Sequence, residues 1–213
     1  MSRTRQLVAR VMGVVVLMAG AGHAAGGTVI PISATSNMGN GFGTDLTNTI
    51  NGSGLASFPS LSAIHSGTSP INSWVSAGTT VGTIDFTLNG TFQINGFSIW
   101  NQNNGGPGTA GSTGIQDVTL STSLNGSTFL PLEHGPTKFA QVTAMTAAPE
   151  VFSFAPTSAK VIRFNVTSNY GDVQTGFAEI AFSDVPEPSF VAVLGIGLLP
   201  LAARWRRRIR AVS

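Results

Sequence analysis

The chain has 213 residues, of which 42 % are hydrophobic and only 9 % are charged, whereas soluble proteins usually carry about 25 % charged residues. So little charge excludes a coiled coil, a solvated helical bundle and a charge-driven disordered chain. The 26 glycines fit short strands joined by tight turns, and the absence of cysteine excludes a disulfide framework and a thiolate nucleophile.

The net charge of +2 hides an uneven distribution, because the basic residues are concentrated at the two ends. The central part has three basic residues, Lys138, Lys160 and Arg163. It has eight acidic residues: Asp45, Asp85, Asp117, Glu133, Glu150, Asp172, Glu179 and Asp184. This acidic balance disfavours nucleic-acid binding, which requires clustered Lys and Arg.

The N-terminal end has the layout of a secretory signal. Residues 1–10 are positively charged, residues 11–21 form an apolar run, and small residues follow to position 27. We predict a signal peptide over residues 1–24, with cleavage after Ala21 or Ala24. An uncleaved anchor is the alternative, although the run is short for a membrane span of about 20 residues.

The C-terminal end predicts a membrane segment. Pro186, Glu187 and Pro188 precede a largely apolar stretch, residues 189–203. As a helix it would rise about 22 Å, which nearly spans a bilayer core if the flanking arginines extend to the interface. Those arginines are Arg204, Arg206, Arg207, Arg208 and Arg210. They place this end in the cytoplasm and the body outside, and they disfavour a buried core helix.

This layout resembles the PEP-CTERM sorting signal of Gram-negative bacteria, here over residues 185–213, although Pro200 would kink the helix. The resemblance implies an exosortase-type membrane processing enzyme as a partner. It also implies an exported protein of the outer surface or extracellular matrix, transiently anchored in the inner membrane and associated with exopolysaccharide. Whether the tail is cleaved or retained stays open.

The body, residues 25–184, is punctuated by Asn-Gly dipeptides, which favour tight turns. Alternating patterns predict strands at residues 28–34, 84–88, 92–94, 97–100, 118–124, 129–132, 139–145, 151–154, 161–167 and 177–183. Asn89-Gly90 and Asn125-Gly126 are predicted turns, and Asn95-Gly96 a bulge. Segments 37–71 and 101–114 are long loops of the kind that carries function. The predicted fold is an all-β, antiparallel jelly-roll sandwich.

With these strands placed, the body resembles a discoidin or coagulation-factor C-type domain, which has a galactose-binding-like fold. The segments that carry the resemblance are 48–55, 74–76, 83–88, 96–101, 163–171 and 177–182.

The resemblance implies a structural calcium ion held by an early loop and a late glutamate, here Asn51, Ser53 and Glu179. Calcium prefers 6–8 oxygen ligands, which a glycine-rich loop can supply as carbonyls. Asn51 stands where the family usually has an aspartate, which weakens the site. A solvated strand position is the alternative for Glu179.

The resemblance also implies sugar binding at one end of the sandwich, through an aromatic platform with polar partners. The candidates are Tyr170, Asn169 and Asn101, the last in the loop 100–104. The two strand-end tryptophans, Trp74 and Trp100, are predicted to lie in the core.

Catalysis is not predicted. Asp85 and Asp117 could form a glycosidase pair, but alternation places them on a solvated sheet face, and His65 and His134 lack metal-ligand spacing. We therefore predict a non-catalytic adhesion or carbohydrate-binding module with polysaccharide as partner. The alternative is a purely structural matrix or envelope protein without a specific ligand.

Overall fold

The structure is a computed structural model that describes residues 26–185; the predicted signal peptide and sorting signal lie outside these residues. Eight strands and one 3-10 turn, Leu46–Thr49, make up the described part. The strands are β1 Thr28–Val29, β2 Ser33–Ser36, β3 Trp74–Val75, β4 Gly82–Asn101, β5 Val118–Ser123, β6 Leu130–Pro131, β7 Glu150–Val166 and β8 Gly176–Asp184.

Two long bent strands, β4 and β7, build both layers of the sandwich. Their pairing is interrupted between Thr87 and Phe92, where the register shifts. On one side of this bend they pair with β2 and β5, and on the other β4 pairs with β8. Strands that change layer at a bulge are a common way to close a sandwich at its corner. The resulting order is β1-β8-β4-β7-β5-β6, with β2 on β4 and β3 on β8.

Phenylalanines fill the space between the layers. Phe97 lies at the centre, with ring centroids of four other phenylalanines 5.1–6.1 Å away, those of Phe139, Phe152, Phe164 and Phe182. A second, smaller cluster contains Trp100 and Ala178 and is covered by Leu55 and Leu61. The segment 50–66 therefore covers the outer face of the layer that contains β8.

The predicted all-β jelly-roll class is confirmed, and so are the bulge at Asn95-Gly96 and the turn that joins β5 to β6. Two local predictions were wrong. Residues 139–145 form no strand, because Phe139 packs into the core from an irregular segment. Asn89-Gly90 does not reverse the chain, since β4 continues through it and only bends.

The sandwich has two different ends. The bend end contains Gly90 and the middle of β7, and both ends of the described chain lie there: the Gly27 amide donates to Asp184 Oδ1 (2.7 Å), and the Val185 amide donates to Gln93 O (2.8 Å). The loop end contains the loops after β4, before β7 and before β8. Among residues 26–185 no helix is long and apolar enough to span a membrane.

Candidate functional site

A polar surface surrounds Tyr170 at the loop end. With its amide oriented to satisfy both neighbours, Gln116 donates to the Asn169 carbonyl (2.8 Å) and accepts from Lys138 Nζ (3.2 Å). Ser168 Oγ donates to Asp117 Oδ2 (2.6 Å). We call these residues, with Tyr170 itself, the Tyr170 surface. It combines an aromatic ring with amide, ammonium and carboxylate groups.

Tyr170 is half-buried and its hydroxyl is already engaged. The hydroxyl donates to the carbonyl of Phe139. Burial raises the pKa of the phenol, and the negative charges of Glu150 and Asp117 raise it further. The Tyr170 phenol therefore stays protonated, and the face of its ring is the part that a ligand can contact.

The other two predicted ligand contacts have internal hydrogen bonds. Asn101 is 3 % exposed; its Nδ2 donates to Ile115 O (2.8 Å) and Ala140 O (2.9 Å), and its Oδ1 accepts from the amides of Gln102 and Ile115. Asn169 is part-buried, and its Nδ2 donates to two carbonyls of its own turn. The structure thus brings Asn169 and Tyr170 together and places Asn101 beneath the loops.

A glycine-rich loop borders the Tyr170 surface. The Gln141 side chain donates to Ala110 O (2.9 Å), and the Ser112 hydroxyl donates to Asp172 Oδ2 (2.9 Å). Gln141 belongs to the segment that follows the hydrogen-bond partner of Tyr170, and Asp172 belongs to the turn of Tyr170 itself. The loop is therefore hydrogen-bonded to the same two segments that hold Tyr170 in place.

Gln102 lies beneath this loop with an unpaired amide. Its side-chain oxygen and nitrogen are both buried, and neither finds a hydrogen-bond partner within residues 26–185. A Cβ added to Gly106 would lie 2.1 Å from Gln102 Nε2, so a larger residue at position 106 would require the Gln102 side chain or the loop to move. Buried polar groups are nearly always hydrogen-bonded, which makes this side chain an exception that needs an explanation.

The predicted calcium residues meet on the outer face of β8. Glu179 is fully buried there, and its Oε2 accepts from the Gly52 amide (3.1 Å). Its Oε1 is buried and has no partner in the part of the chain described. Burial raises the pKa of Glu179 from the ordinary 4.5 to about 8, and the Gly52 hydrogen bond offsets part of this rise. Glu179 is therefore not a solvated strand residue.

The donor set around Glu179 fits a cation in part. The unpartnered Oε1 is an oxygen donor of the kind that calcium accepts. The loop faces Glu179 with the Gly52 amide, and the carbonyls of Gly52 and Gly54 accept from the amides of Leu55 and Ser66. Asn51 is exposed, and its Oδ1 accepts from the Ser53 amide (2.8 Å). The Ser53 carbonyl lies 2.9 Å from Nε2 of His65, a fully buried residue. No group of three or more His, Cys, Asp and Glu side chains converges anywhere in residues 26–185, so any cation here would depend on one carboxylate and backbone oxygens.

The acidic residues considered for catalysis are separated and engaged. Asp85 forms a two-pronged ion pair with Arg163 (2.6 and 2.7 Å), and the Arg163 guanidinium lies 3.8 Å from the centroid of the Phe129 ring. Asp117 accepts from Ser168 and belongs to the Tyr170 surface. Both carboxylates are therefore used in hydrogen bonds within the domain, whereas a glycosidase uses two carboxyl groups that flank the scissile bond.

A groove of about 750 Å³ lies at the bend end, away from these residues. Its walls are the turn between β5 and β6 and the middle of β7, with Leu124, Leu130, Pro131 and Pro156 among them. Its lining contains none of the residues predicted to bind calcium or sugar.

Sequence reasoning missed three residues of these sites. Gln102 and His65 lie in segments without apolar periodicity, so nothing in the sequence distinguishes them from solvated loop residues. Lys138 lies at the Tyr170 surface and directly precedes the irregular segment 139–145, which was predicted to be a strand. An isolated bridge between Asp117 and Lys138 fixes this position.

The fold matches known carbohydrate-binding modules. A truncated AlyQ with CBM32 and alginate lyase domains has a TM-score of 0.53 at 18 % sequence identity. The match covers 78 % of this chain and 35 % of the AlyQ chain, so this protein spans about a third of the length of AlyQ. CBM32-1 from a Clostridium perfringens family 31 glycoside hydrolase has a TM-score of 0.52 at 12 % identity, and the match covers 73 % of this chain and 96 % of that module. The family 32 module of Clostridium perfringens NanJ, in complex with galactose, has a TM-score of 0.50 at 12 % identity. The match covers 74 % of this chain and 98 % of that module.

These similarities establish the fold, that of discoidin-like, galactose-binding-like family 32 modules. Two of the three structures are isolated modules, and the third contains such a module beside a lyase domain. No protein family and no curated protein matches the sequence.

Proposed function

We propose that the protein is a non-catalytic carbohydrate-binding module that contacts its glycan with the Tyr170 surface. The observation that carries the proposal is a half-buried aromatic ring flanked by Lys138, Gln116 and Asp117 at the loop end of a family 32-type fold. An aromatic face can stack on the apolar side of a pyranose, while the flanking polar groups are suited to its hydroxyls.

The arrangement of the two ends supports a role at the cell surface. Gly27 and Asp184 are hydrogen-bonded to each other at the bend end, so the first and last described residues lie at the end opposite the loops. This position keeps the Tyr170 surface at the end of the domain away from the two points where the flanking sequence attaches. We infer sorting by the signal at Pro186, Glu187 and Pro188 and its arginine cluster, processing by an exosortase-type enzyme, and residence in the surface or matrix of a Gram-negative bacterium.

A calcium ion is part of the proposal as a structural element. Glu179 and the carbonyls of the loop at Asn51 and Ser53 would hold it. When bound it would supply the charge that keeps the buried carboxyl ionised and would tie the segment 50–66 to β8. Calcium would then raise the melting temperature of the wild type at pH 7 but not that of Glu179→Gln.

Glycan-array binding with three variants tests the proposed function. Tyr170→Ala removes the ring and is expected to weaken binding by about tenfold or more, a change of about 1.4 kcal/mol. Tyr170→Phe keeps the ring and should bind, because the hydroxyl is occupied by Phe139 O. Phe58→Ala removes a part-exposed aromatic ring from the segment 50–66 and serves as the matched control. Full binding by Tyr170→Ala would contradict the proposed contact.

One observation favours the alternative of a purely structural matrix protein. The Tyr170 hydroxyl and the amides of Asn101 and Asn169 are already used within the domain. A wild-type protein that binds no glycan on the array but still assembles fully into the matrix would support this alternative.

Sorting is tested separately, by the intact mass of the cell-surface form. Loss of the residues beyond Pro188 is expected if the tail is processed. A full-length mass would instead indicate a retained anchor.

A further inference from the structure

Gln102 is the buried polar group that the proposed contacts leave without a role. It directly follows β4, whose last residue, Asn101, is fixed by four hydrogen bonds. The position of Gln102 is therefore set by the sheet, and its unpaired amide is a property of the fold and not of a loosely held loop.

What covers Gln102 is a short glycine-rich segment, residues 105–111, which we call the cap. Outside the strands that flank it, the cap is held by hydrogen bonds to side chains: Gly105 N donates to Asn103 Oδ1 (3.0 Å), Ala110 N donates to Asn104 Oδ1 (2.9 Å), and Ala110 O accepts from Gln141 (2.9 Å). Its remaining hydrogen bonds are made with its immediate neighbours Asn103, Ser112, Thr113 and Gly114. Gly106 lies directly against the Gln102 amide, since a Cβ at this position would be 2.1 Å from Nε2. The cap thus covers the amide without giving it a hydrogen bond.

The closed cap also carries backbone strain. Ala110 has a φ of +51°, a left-handed conformation that residues other than glycine adopt at a cost. Gln141, which donates to Ala110 O, follows Phe139, the hydrogen-bond partner of Tyr170. Ser112, the residue after the cap, donates to Asp172 in the turn that contains Tyr170. Displacing the cap would therefore relieve Ala110 and uncover the Gln102 amide.

We propose that Gln102 is a second ligand-binding residue, exposed when the cap opens, that hydrogen-bonds to hydroxyl groups of the glycan. A primary amide offers two donors and one acceptor oxygen in one plane. A pair of neighbouring sugar hydroxyls, each able to donate and accept, complements this set, whereas an apolar group or a simple ion does not. This inference rests on the proposed function and assigns the polar floor of the same site.

Gln102→Leu is the decisive variant, because it removes the amide at nearly constant volume. Without glycan its melting temperature is expected to rise by about 2–4 °C, since an unpaired buried amide is destabilising. Its affinity for galactose-, N-acetylgalactosamine- or uronate-containing array glycans that the wild type binds is expected to fall about tenfold or more. Gln93→Leu, the same change at an exposed site at the bend end, should keep wild-type affinity.

Gly106→Ala tests the opening of the cap. Its Cβ would lie 2.1 Å from Gln102 Nε2, so the closed cap can no longer rest on the Gln102 amide as it does now. Amide hydrogen exchange in residues 105–111 should become faster, and the affinity should equal or exceed that of the wild type. Weaker binding by Gly106→Ala would show that the closed cap is the binding form and would overturn the proposal.

The outcomes separate the two claims. Wild-type affinity in Gln102→Leu overturns the role of Gln102 and leaves the proposed function intact. A lower melting temperature in Gln102→Leu also overturns it, because the amide would then be satisfied in the free protein. If the wild type binds no glycan, the proposed function fails, and the role of Gln102 fails with it.

Discussion

The buried carboxyl of Glu179 makes the stability of this domain depend on pH. Its pKa is about 8 in the folded protein against 4.5 ordinarily, so between these values the folded state binds more protons than the unfolded state. The stabilising effect of the protonated carboxyl is complete below about pH 4.5 and is lost as the pH rises to about 8. Because a tenfold change in proton affinity is worth about 1.36 kcal/mol, the difference between a pKa of 4.5 and one of about 8 changes the free energy of unfolding by at most about 5 kcal/mol.

Glu179→Gln removes this dependence, because an amide is neutral at every pH. In a calcium chelator, wild type and variant should have similar free energies of unfolding near pH 4.5, and the variant should be more stable by a few kcal/mol at pH 8. Denaturant unfolding at several pH values measures this difference. The exposed Glu133→Gln is the control and should keep the wild-type slope. A slope in Glu179→Gln equal to that of the wild type would refute the assignment of this pH dependence to Glu179.

Three further substitutions test the packing by thermal or denaturant unfolding. Phe129→Ala should cost about 1–2 kcal/mol, because it uncovers the Arg163 guanidinium; no loss would mean that this contact is incidental. Gly96→Ala should lower the free energy of unfolding more than Gly78→Ala. A Cβ at position 96 would lie 2.4 Å from a facing carbonyl, whereas a Cβ at position 78 has no neighbour within 4 Å and is disfavoured only by the φ of +78°. The reverse order would contradict the described bulge. Trp74→Phe removes two hydrogen bonds of the indole N–H and should lower the free energy of unfolding by about 1–2 kcal/mol. An unchanged unfolding midpoint would show that these hydrogen bonds do not contribute to stability.

The layers of the sandwich were predictable because strand alternation reports which face is buried. Ile84 and Phe86 are buried on one side of β4 with Asp85 and Thr87 between them, as the pattern indicated. The pattern failed where the chain turns a corner within one strand, at Asn89-Gly90. An Asn-Gly pair permits a turn, but the long-range pairing with β7 on both sides of it decided that the strand continues.

The candidate site was predictable only where local sequence determines it. Tyr170 and Asn169 are consecutive residues of one turn, so the sequence alone places them close together. Glu179 and the loop at Gly52 meet across 127 positions, and only the resemblance to a known fold linked them. Gln102 carries no sequence signal, because its burial is caused by the cap that folds over it.

Binding at the loop end is tested most directly by an NMR titration of residues 25–185 with a glycan selected from the array. Shift changes are expected in the turn 169–174 and in residues 101–114, with little change near Leu130 and Pro131. Changes confined to the groove at the bend end, or none with any glycan, would contradict a sugar-binding Tyr170 surface.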